Sequence, residues 1–292
     1  MDSILKNFSY ERTLSQDTQR KVVHLLGQVQ GKACIVTVEK LFFDESVLPI
    51  LTNRVDHVEE EVQNNIYGWC LGHLDLKAMD TRIKYVYPAT ELHIRKHEQQ
   101  QRCLIVETPR LYEEITKPYI DAIPASRIAW VMNILEGTAE KDRVLFHDKD
   151  PQDGFVILPD MKWDGHPSSL YLVAIVMQNG LTSLRQLSGC HVPLLKHIQS
   201  TVHALVKEKY QLDPHQIQIF FHYQPSYYHL HLHITALSLQ DPPGATVGQA
   251  HLLDTVLYHL EHIPGYYQQA TLPFVVGDQH PLYQSYQAWL NH

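Results

Sequence analysis

Four cysteines in 292 residues, none in a Cys-x-x-Cys pair, leave no framework for a disulfide-stapled scaffold or a thiolate metal site. Cys34, Cys70, Cys103 and Cys190 are widely spaced and read as reduced thiols of an intracellular protein. Long apolar runs are also missing. No segment approaches the ~18 residues of a membrane span. The N-terminus, Met1-Asp2-Ser3-Ile4-Leu5-Lys6, has no basic region followed by an apolar one and is not a secretory signal. Positive charge is short as well: 24 Lys and Arg against 32 Asp and Glu give a net charge of −8. That balance argues against a binder of long nucleic acid, which needs a basic footprint to release counterions. It permits a small anionic ligand held by a few local cations. No internal repeat or low-complexity segment is present.

Histidine is plentiful. Most of the 20 are scattered singly, as surface or ordinary core residues. One stretch differs: His222-Tyr223-Gln224-Pro225-Ser226-Tyr227-Tyr228-His229-Leu230-His231-Leu232-His233-Ile234-Thr235. His229, His231 and His233 alternate with apolar residues, and period two is the signature of a strand. Three imidazoles then share one face, about 6 to 7 Å apart, too far to satisfy one another. Three readings are open at this point. The face is solvated; or two of the histidines join a third ligand on zinc, since a flat row does not converge tetrahedrally; or one imidazole attacks phosphorus while its neighbours hold phosphate oxygens.

The rest of the chain divides into a mainly β N-terminal unit, 1–95, a hinge, 96–108, and a C-terminal unit, 109–292. In the first, Ala33–Val38, Asn65–Trp69 and Ile83–Tyr87 read as strands, Phe42-Phe43 as the start of another element, and Glu59–Gln63 as a charged surface stretch. Ala89–Val106 reads as a charged, helix-like connector, and Pro109 to about Ile120 as an amphipathic stretch. The apolar run Ile128–Leu135 has helical length and is closed by Gly137. Then come strands at Arg143–Phe146, Phe155–Leu158 and Leu170–Met177, a helix from Pro193 to about Tyr210, and strands at Ile217–Phe221 and the histidine row. That order predicts an α+β layer, an antiparallel sheet with a helix on one face. Pro264–Leu272 and a helix-like Leu282–Leu290 extend it.

The pattern His229-Leu230-His231-Leu232-His233-Ile234-Thr235 resembles the histidine-triad superfamily, with Thr235 a mild departure from its apolar last place. The longer string from His222 to His231 resembles one branch, the scavenger mRNA-decapping enzymes. So do Tyr87-Pro88-Ala89-Thr90-Glu91 and Pro159-Asp160-Met161-Lys162-Trp163, within a similarity covering Tyr87 to Tyr267 and weak over the first sixty residues. The resemblance implies a histidine-triad-like antiparallel sheet with helices, plus a smaller mainly β N-terminal domain that dimerises and closes as a lid. It implies hydrolysis of the triphosphate bridge of 7-methylguanosine-capped short RNA or cap dinucleotide. 7-Methyl-GMP would be released through a nucleotidyl-histidine intermediate, with no cofactor and no metal. By it His231 is the nucleophile, flanked by His229 and His233, with His222 a further phosphate contact and Ser226 and Tyr227 neutral donors. Trp130 and Met161 sandwich the base, Glu140 and Asp160 bond base or ribose, and Lys162 and Lys96 reach the phosphates. Asn64 and Tyr67 close over the ligand. A cationic base suits an aromatic face and an acidic partner. Leu92 stands where the family often has a second lysine, and Met161 where leucine is usual, a volume-conserving change. The implied assembly is a homodimer with exchanged N-terminal domains, without membrane or long nucleic acid, in the cytoplasm with the nucleus as a second compartment. A general dinucleoside-polyphosphate hydrolase, a non-catalytic cap-binding module and a metal-binding protein remain the alternatives.

Overall fold

A computed structural model describes residues 2–18, 21–40, 55–64, 67–74, 81–161, 163, 165–242 and 244–290. The chain divides between Gln100 and Gln101 into two compact units. Among the described residues no helix is long and apolar enough to cross a membrane.

The first unit is built on antiparallel strands. β1 (Ser9–Asp17), β2 (Val22–Val29), β3 (Lys32–Lys40) and β6 (Thr81–Val86) form a sheet in the order β1-β2-β3-β6, and β4 (Val55–Asn64) pairs with β5 (Tyr67–Leu74) as a separate hairpin. The charged stretch Glu59–Gln63 is therefore part of strand β4. Gln30 and Gly31 both adopt positive φ, 51° and 75°, between the paired residues Val29 and Lys32. A two-residue loop of that kind matches the right-handed twist of the strands it joins. Leu14, Leu26 and Ile35 make one small core with Ile94 of the helix Glu91–His97; Val29, Cys34 and Val36 make another on the opposite face. Phe42 and Phe43 lie outside the described residues.

The expected connector helix is shorter than its charge pattern suggests. It stops at His97, and Arg102–Glu107 is instead a strand, β7. Ile105 and Glu107 are buried and Leu104 and Val106 exposed, a period of two that becomes legible once its partner is known. After β7 comes a helix, Pro109–Asp121, widened by one π-helical turn at Tyr112–Thr116. The short helix Ala129–Leu135 follows and ends beside Gly137 at φ 68°.

The second unit's main sheet has six strands, β8 (Phe146–His147), β9 (Phe155–Pro159), β10 (Tyr171–Val176), β11 (Ile217–His222), β12 (His231–Ala236) and β13 (Ala250–Leu252). Their order is β13-β11-β12-β10-β9-β8, and every pairing is antiparallel. The α+β class is as expected, with three changes. β8 starts only at Phe146, because Lys141–Arg143 is a 3-10 turn. The β13 edge and the helix Leu253–His262 are additions. Both faces of the sheet carry helices rather than one. On one face Leu172, Ala174, Leu232 and Ile234 pack on the helix Val192–Tyr210, through Leu194, Leu195, Ile198 and Val202, and on Val256 and Leu260. Each such side chain, fully buried, contributes about 1.5–3 kcal/mol. On the other face Val156, Leu158, Val173 and Ile175 meet Val131, Ile134 and Leu135.

The C-terminal stretch also contributes a strand. β14 (Leu272–Gly277) pairs antiparallel with β7, Leu272 opposite Glu107, before the last helix, Pro281–Leu290. The carboxylate of Glu107 is fully buried and ion-paired to Arg185 at 2.6 Å. It also accepts from the hydroxyls of Thr116, Tyr223 and Tyr286 and, at 3.4 Å, from the amide of Gln224. Arg185 donates onward to the carbonyls of Tyr267 (2.8 Å) and Ala270 (2.6 Å). With both charges satisfied, leaving either alone costs far more than the pair gains. Glu107→Ala is expected to destabilise the second unit by about 3–5 kcal/mol in denaturant unfolding. Glu107→Leu/Arg185→Met should lose less than the sum of its single variants.

Candidate active site

β12 starts at His231, one histidine later than the alternation implies. His229 lies just before it, in the irregular stretch after His222. Its ring has its own work, because Nε2 donates to the carbonyl of Val176 at 2.8 Å. His231 and His233 are the two triad members on the strand proper. They sit opposite Ile175 and Val173 of β10, on the sheet face that carries the helix Ala129–Leu135. Leu230, Leu232 and Ile234 go to the other face, as the alternation requires.

His231 is buried, and its Nδ1 donates to the carbonyl of His229 at 2.8 Å. With Nδ1 carrying the hydrogen, Nε2 keeps its lone pair. Nε2 is buried and has no hydrogen-bond partner among the described residues. Burial, reinforced by the facing His222 and His229, pushes the pKa of His231 down to about 4, against the lift from the His229 carbonyl. The ring is therefore neutral at pH 7 and nucleophilic at one defined atom. Burial likewise lowers the pKa of His229. His233 is held by the hydroxyl of Tyr171, 3.2 Å from its Nδ1, and by the face of Phe220, with centroids 5.6 Å apart. His222, the last residue of β11, brings its ring to 4.0 Å from that of His233. Above His222 lies Gly244, at φ 81°; a Cβ there would stand 2.3 Å from His222 Nε2, so only glycine lets the loop pass.

His222, His233 and Gly244 open onto a cleft of about 1080 Å³, just above the range of about 300–1,000 Å³ for small-molecule sites. It crosses the sheet from the β9 side to the β13 side. Its first arm is lined by Trp130, Glu140, Pro159, Asp160, Met161 and Tyr171, and its middle by His222, His233, Ser226 and Tyr227. Trp130 is 44 % and Met161 84 % exposed, so two flat or pliable apolar surfaces are offered there. Glu140, itself at φ 54°, is ion-paired to Arg143, which also donates to the carbonyl of Pro159 at 3.0 Å. One guanidinium thus ties the acidic group to the end of β9. The expected residues Trp130, Glu140, Asp160, Met161, His222, Ser226, Tyr227 and His233 all line one cleft. His229 and His231 do not line it; Tyr227, which does, lies face to face on His231. Lys162 and the side chains of Asn64, Tyr67 and Lys96 lie outside the described residues. Among the described residues no three His, Cys, Asp or Glu side chains are grouped to hold a metal ion.

Sequence reasoning missed Tyr171, Arg143, Gln224 and Gly244. Tyr171 is hidden in a wholly apolar strand, and Arg143 in a segment read as strand. The signal for Gly244 was its own run, Asp241-Pro242-Pro243-Gly244, in a turn-forming stretch.

Residues 3–100 match the scavenger mRNA decapping enzyme N-terminal family model, and residues 129–246 match the scavenger mRNA decapping enzyme C-terminal binding model. Among curated proteins, an m7GpppX diphosphatase of Schizosaccharomyces pombe is 34% identical over 287 residues, covering 96% of this chain and 94% of its own. An m7GpppX diphosphatase of Ascaris suum is 39% identical, with 96% and 93% covered. One of Homo sapiens is 37% identical, with 94% and 83% covered. With both family models matched in chain order and such relatives aligned over nearly its full length, the chain belongs to the scavenger mRNA decapping enzyme family.

Proposed function

We propose that this chain is a scavenger decapping hydrolase that cleaves the triphosphate bridge of 7-methylguanosine-capped short RNA or cap dinucleotide. The carrying observation is His231: a buried, neutral imidazole, its Nδ1 hydrogen committed to the His229 carbonyl and its Nε2 lone pair uncommitted. Phosphoric anhydrides resist attack because their oxygens repel nucleophiles, so a site must supply both a nucleophile and neutralisation. In this reading Nε2 attacks the phosphorus next to 7-methylguanosine. The P–O bond to the rest of the bridge breaks, and its electron pair leaves with the diphosphate end. The imidazolium-phosphoryl intermediate is stabilised at Nδ1–H by the His229 carbonyl. Water then adds to phosphorus, the P–N pair returns to Nε2, and 7-methyl-GMP departs. His222, His233 and Ser226 hold phosphate oxygens, with Tyr227 as a neutral donor. Lys162 and Lys96 add charge by family resemblance. His229 serves through its carbonyl and its hold on Val176, as a positioning residue.

The methylated base carries a positive charge. Trp130 and Met161 sandwich it, and Glu140 and Asp160 address its edge and ribose. Asn64 and Tyr67, a paired position at the end of the β4–β5 hairpin, are assigned by resemblance to closure over the ligand. The same reading carries a homodimer with exchanged N-terminal domains, in the cytoplasm with a nuclear share.

Hydrolysis of a 7-methylguanosine cap dinucleotide beside its unmethylated analogue, with EDTA present, tests this directly. The wild type should cleave both and prefer the methylated one. His231→Asn should lose at least about 10⁴-fold in kcat. Equal cleavage of the two substrates would exclude the cationic-base clamp and favour a general dinucleoside-polyphosphate hydrolase. Trp130→Ala removes a stacking surface worth about 1–3 kcal/mol, so KM for the methylated cap should rise roughly 10- to 100-fold. His231 takes up its proton only as the pH falls through about 4. A kcat/KM profile should therefore show no acid limb from the nucleophile down to about pH 5, where an ordinary histidine would already be charged.

A further inference from the structure

Of the side chains bound to Glu107, one also reaches the cleft. Arg185, Thr116, Tyr223 and Tyr286 are buried, whereas Gln224 is part-buried and lines it. Its place on the sheet is the far side from the base. Trp130 belongs to the helix packed on β9 and β10, and Asp160 follows β9. β11 stands on the other side of β12 from β10. His222 ends β11, and Gln224 lies two residues beyond it. The cleft continues there, between Tyr119, Tyr228, Gln249 and His280. A substrate with its base against Trp130 and its reacting phosphorus at the histidines therefore extends its leaving end toward Gln224.

Two partners decide which way the carboxamide faces. Glu107, ion-paired to Arg185, offers only acceptors, so the group that meets its Oε2 at 3.4 Å is the amide nitrogen. The amide oxygen is then turned to Tyr228, whose hydroxyl donates to it at 3.3 Å. Among the described residues Glu107 is the one acceptor of that nitrogen. An amide nitrogen carries two hydrogens in fixed planar directions, so the second is left over in a side chain that lines the cleft.

We propose that Gln224 is a further substrate-binding residue: its second N–H donates to an oxygen of the diphosphate leaving end, and Glu107 is the positioning residue that keeps the nitrogen turned that way. This rests on the decapping reading above and deepens it, because the part of the bridge that departs gains a contact of its own. Negative charge grows on the leaving oxygen as the P–O bond breaks, and a donor already oriented toward that end needs no rearrangement to meet it. The contact belongs to the bridge and the leaving end and is absent for a ligand that stops at the first phosphate.

Binding to the full-length His231→Asn protein, which keeps the ligand intact, separates the two ends. Cap dinucleotide and 7-methyl-GMP share the base and the first phosphate; only the dinucleotide carries the leaving end. Adding Gln224→Leu should weaken the dinucleotide about tenfold, the loss of one hydrogen bond to a charged group, and leave 7-methyl-GMP within about twofold. Tyr228→Phe, which releases the amide oxygen, should weaken the dinucleotide about two- to threefold and spare 7-methyl-GMP. If Gln224→Leu does not fold, Gln224→Asn, which draws the amide back by one methylene, takes its place and should give the same split. Loss of both ligands by one common factor would make Gln224 a support of the loop alone, and unchanged affinity for both would remove it from the site. Either result overturns the proposal. Failure of the wild type to cleave the methylated dinucleotide would instead sink the decapping reading, and the affinity split would still decide whether Gln224 meets the far end of the bridge.

Discussion

Much of the C-terminal unit converges on one buried carboxylate. Glu107 is placed on strand β7, where the chain enters this unit, and its partners come from almost every other part of it. Arg185 comes from the turn after β10, Thr116 from the π-helical turn, Tyr286 from the last helix, and Tyr223 and Gln224 from the segment that carries the active-site loop. An ionised carboxylate inside a protein is tolerable only when its lone pairs are spoken for. Here they are, and Arg185 is in turn spent on Glu107 and two backbone carbonyls. The arrangement therefore contributes definition more than net stability. It fixes where the loop after His222 begins, and so where Ser226 and Tyr227 can reach.

From that anchor the site follows by simple geometry. β11 delivers His222 at its end, the loop returns, and β12 presents His231 and His233 beside β10. The sheet's two faces divide the labour. The face toward the long helix is apolar and closed, while the other mixes a small core around Val131 and Ile134 with the imidazoles. Such a mixed face keeps His231 dry enough to stay neutral, yet leaves His222 and His233 in the cleft.

The period-two row of histidines between apolar residues was readable because a strand pattern is local, and the apolar stripes of the helices were readable for the same reason. The role of Glu107 was not. Its strand pairs with β14 near the far end of the chain, and nothing in Arg102–Glu107 announces that partner, so the charged residues before it pulled the reading toward helix. The division of labour within the triad was likewise hidden. Alternation makes the three histidines equivalent; the start of β12 at His231 and the hydrogen bond to Val176 make His229 different. That Tyr227 stacks on His231 is a matter of tertiary packing between a loop and a strand. Spacing along the chain carries no trace of it.

The pairing of β7 with β14 has a consequence for how the molecule comes into being. The first strand of the C-terminal unit is completed by β14, and Glu107 waits for Tyr286, 179 residues further along. During synthesis the middle sheet, β8 to β12, is available long before the partners of β7 emerge. Contacts of such large sequence separation form late, and the segments awaiting them stay exposed in the meantime. Assembly of this unit is therefore a closing operation, in which β14 and the helix Pro281–Leu290 lock β7, and without that helix the buried acid would lack one of its donors.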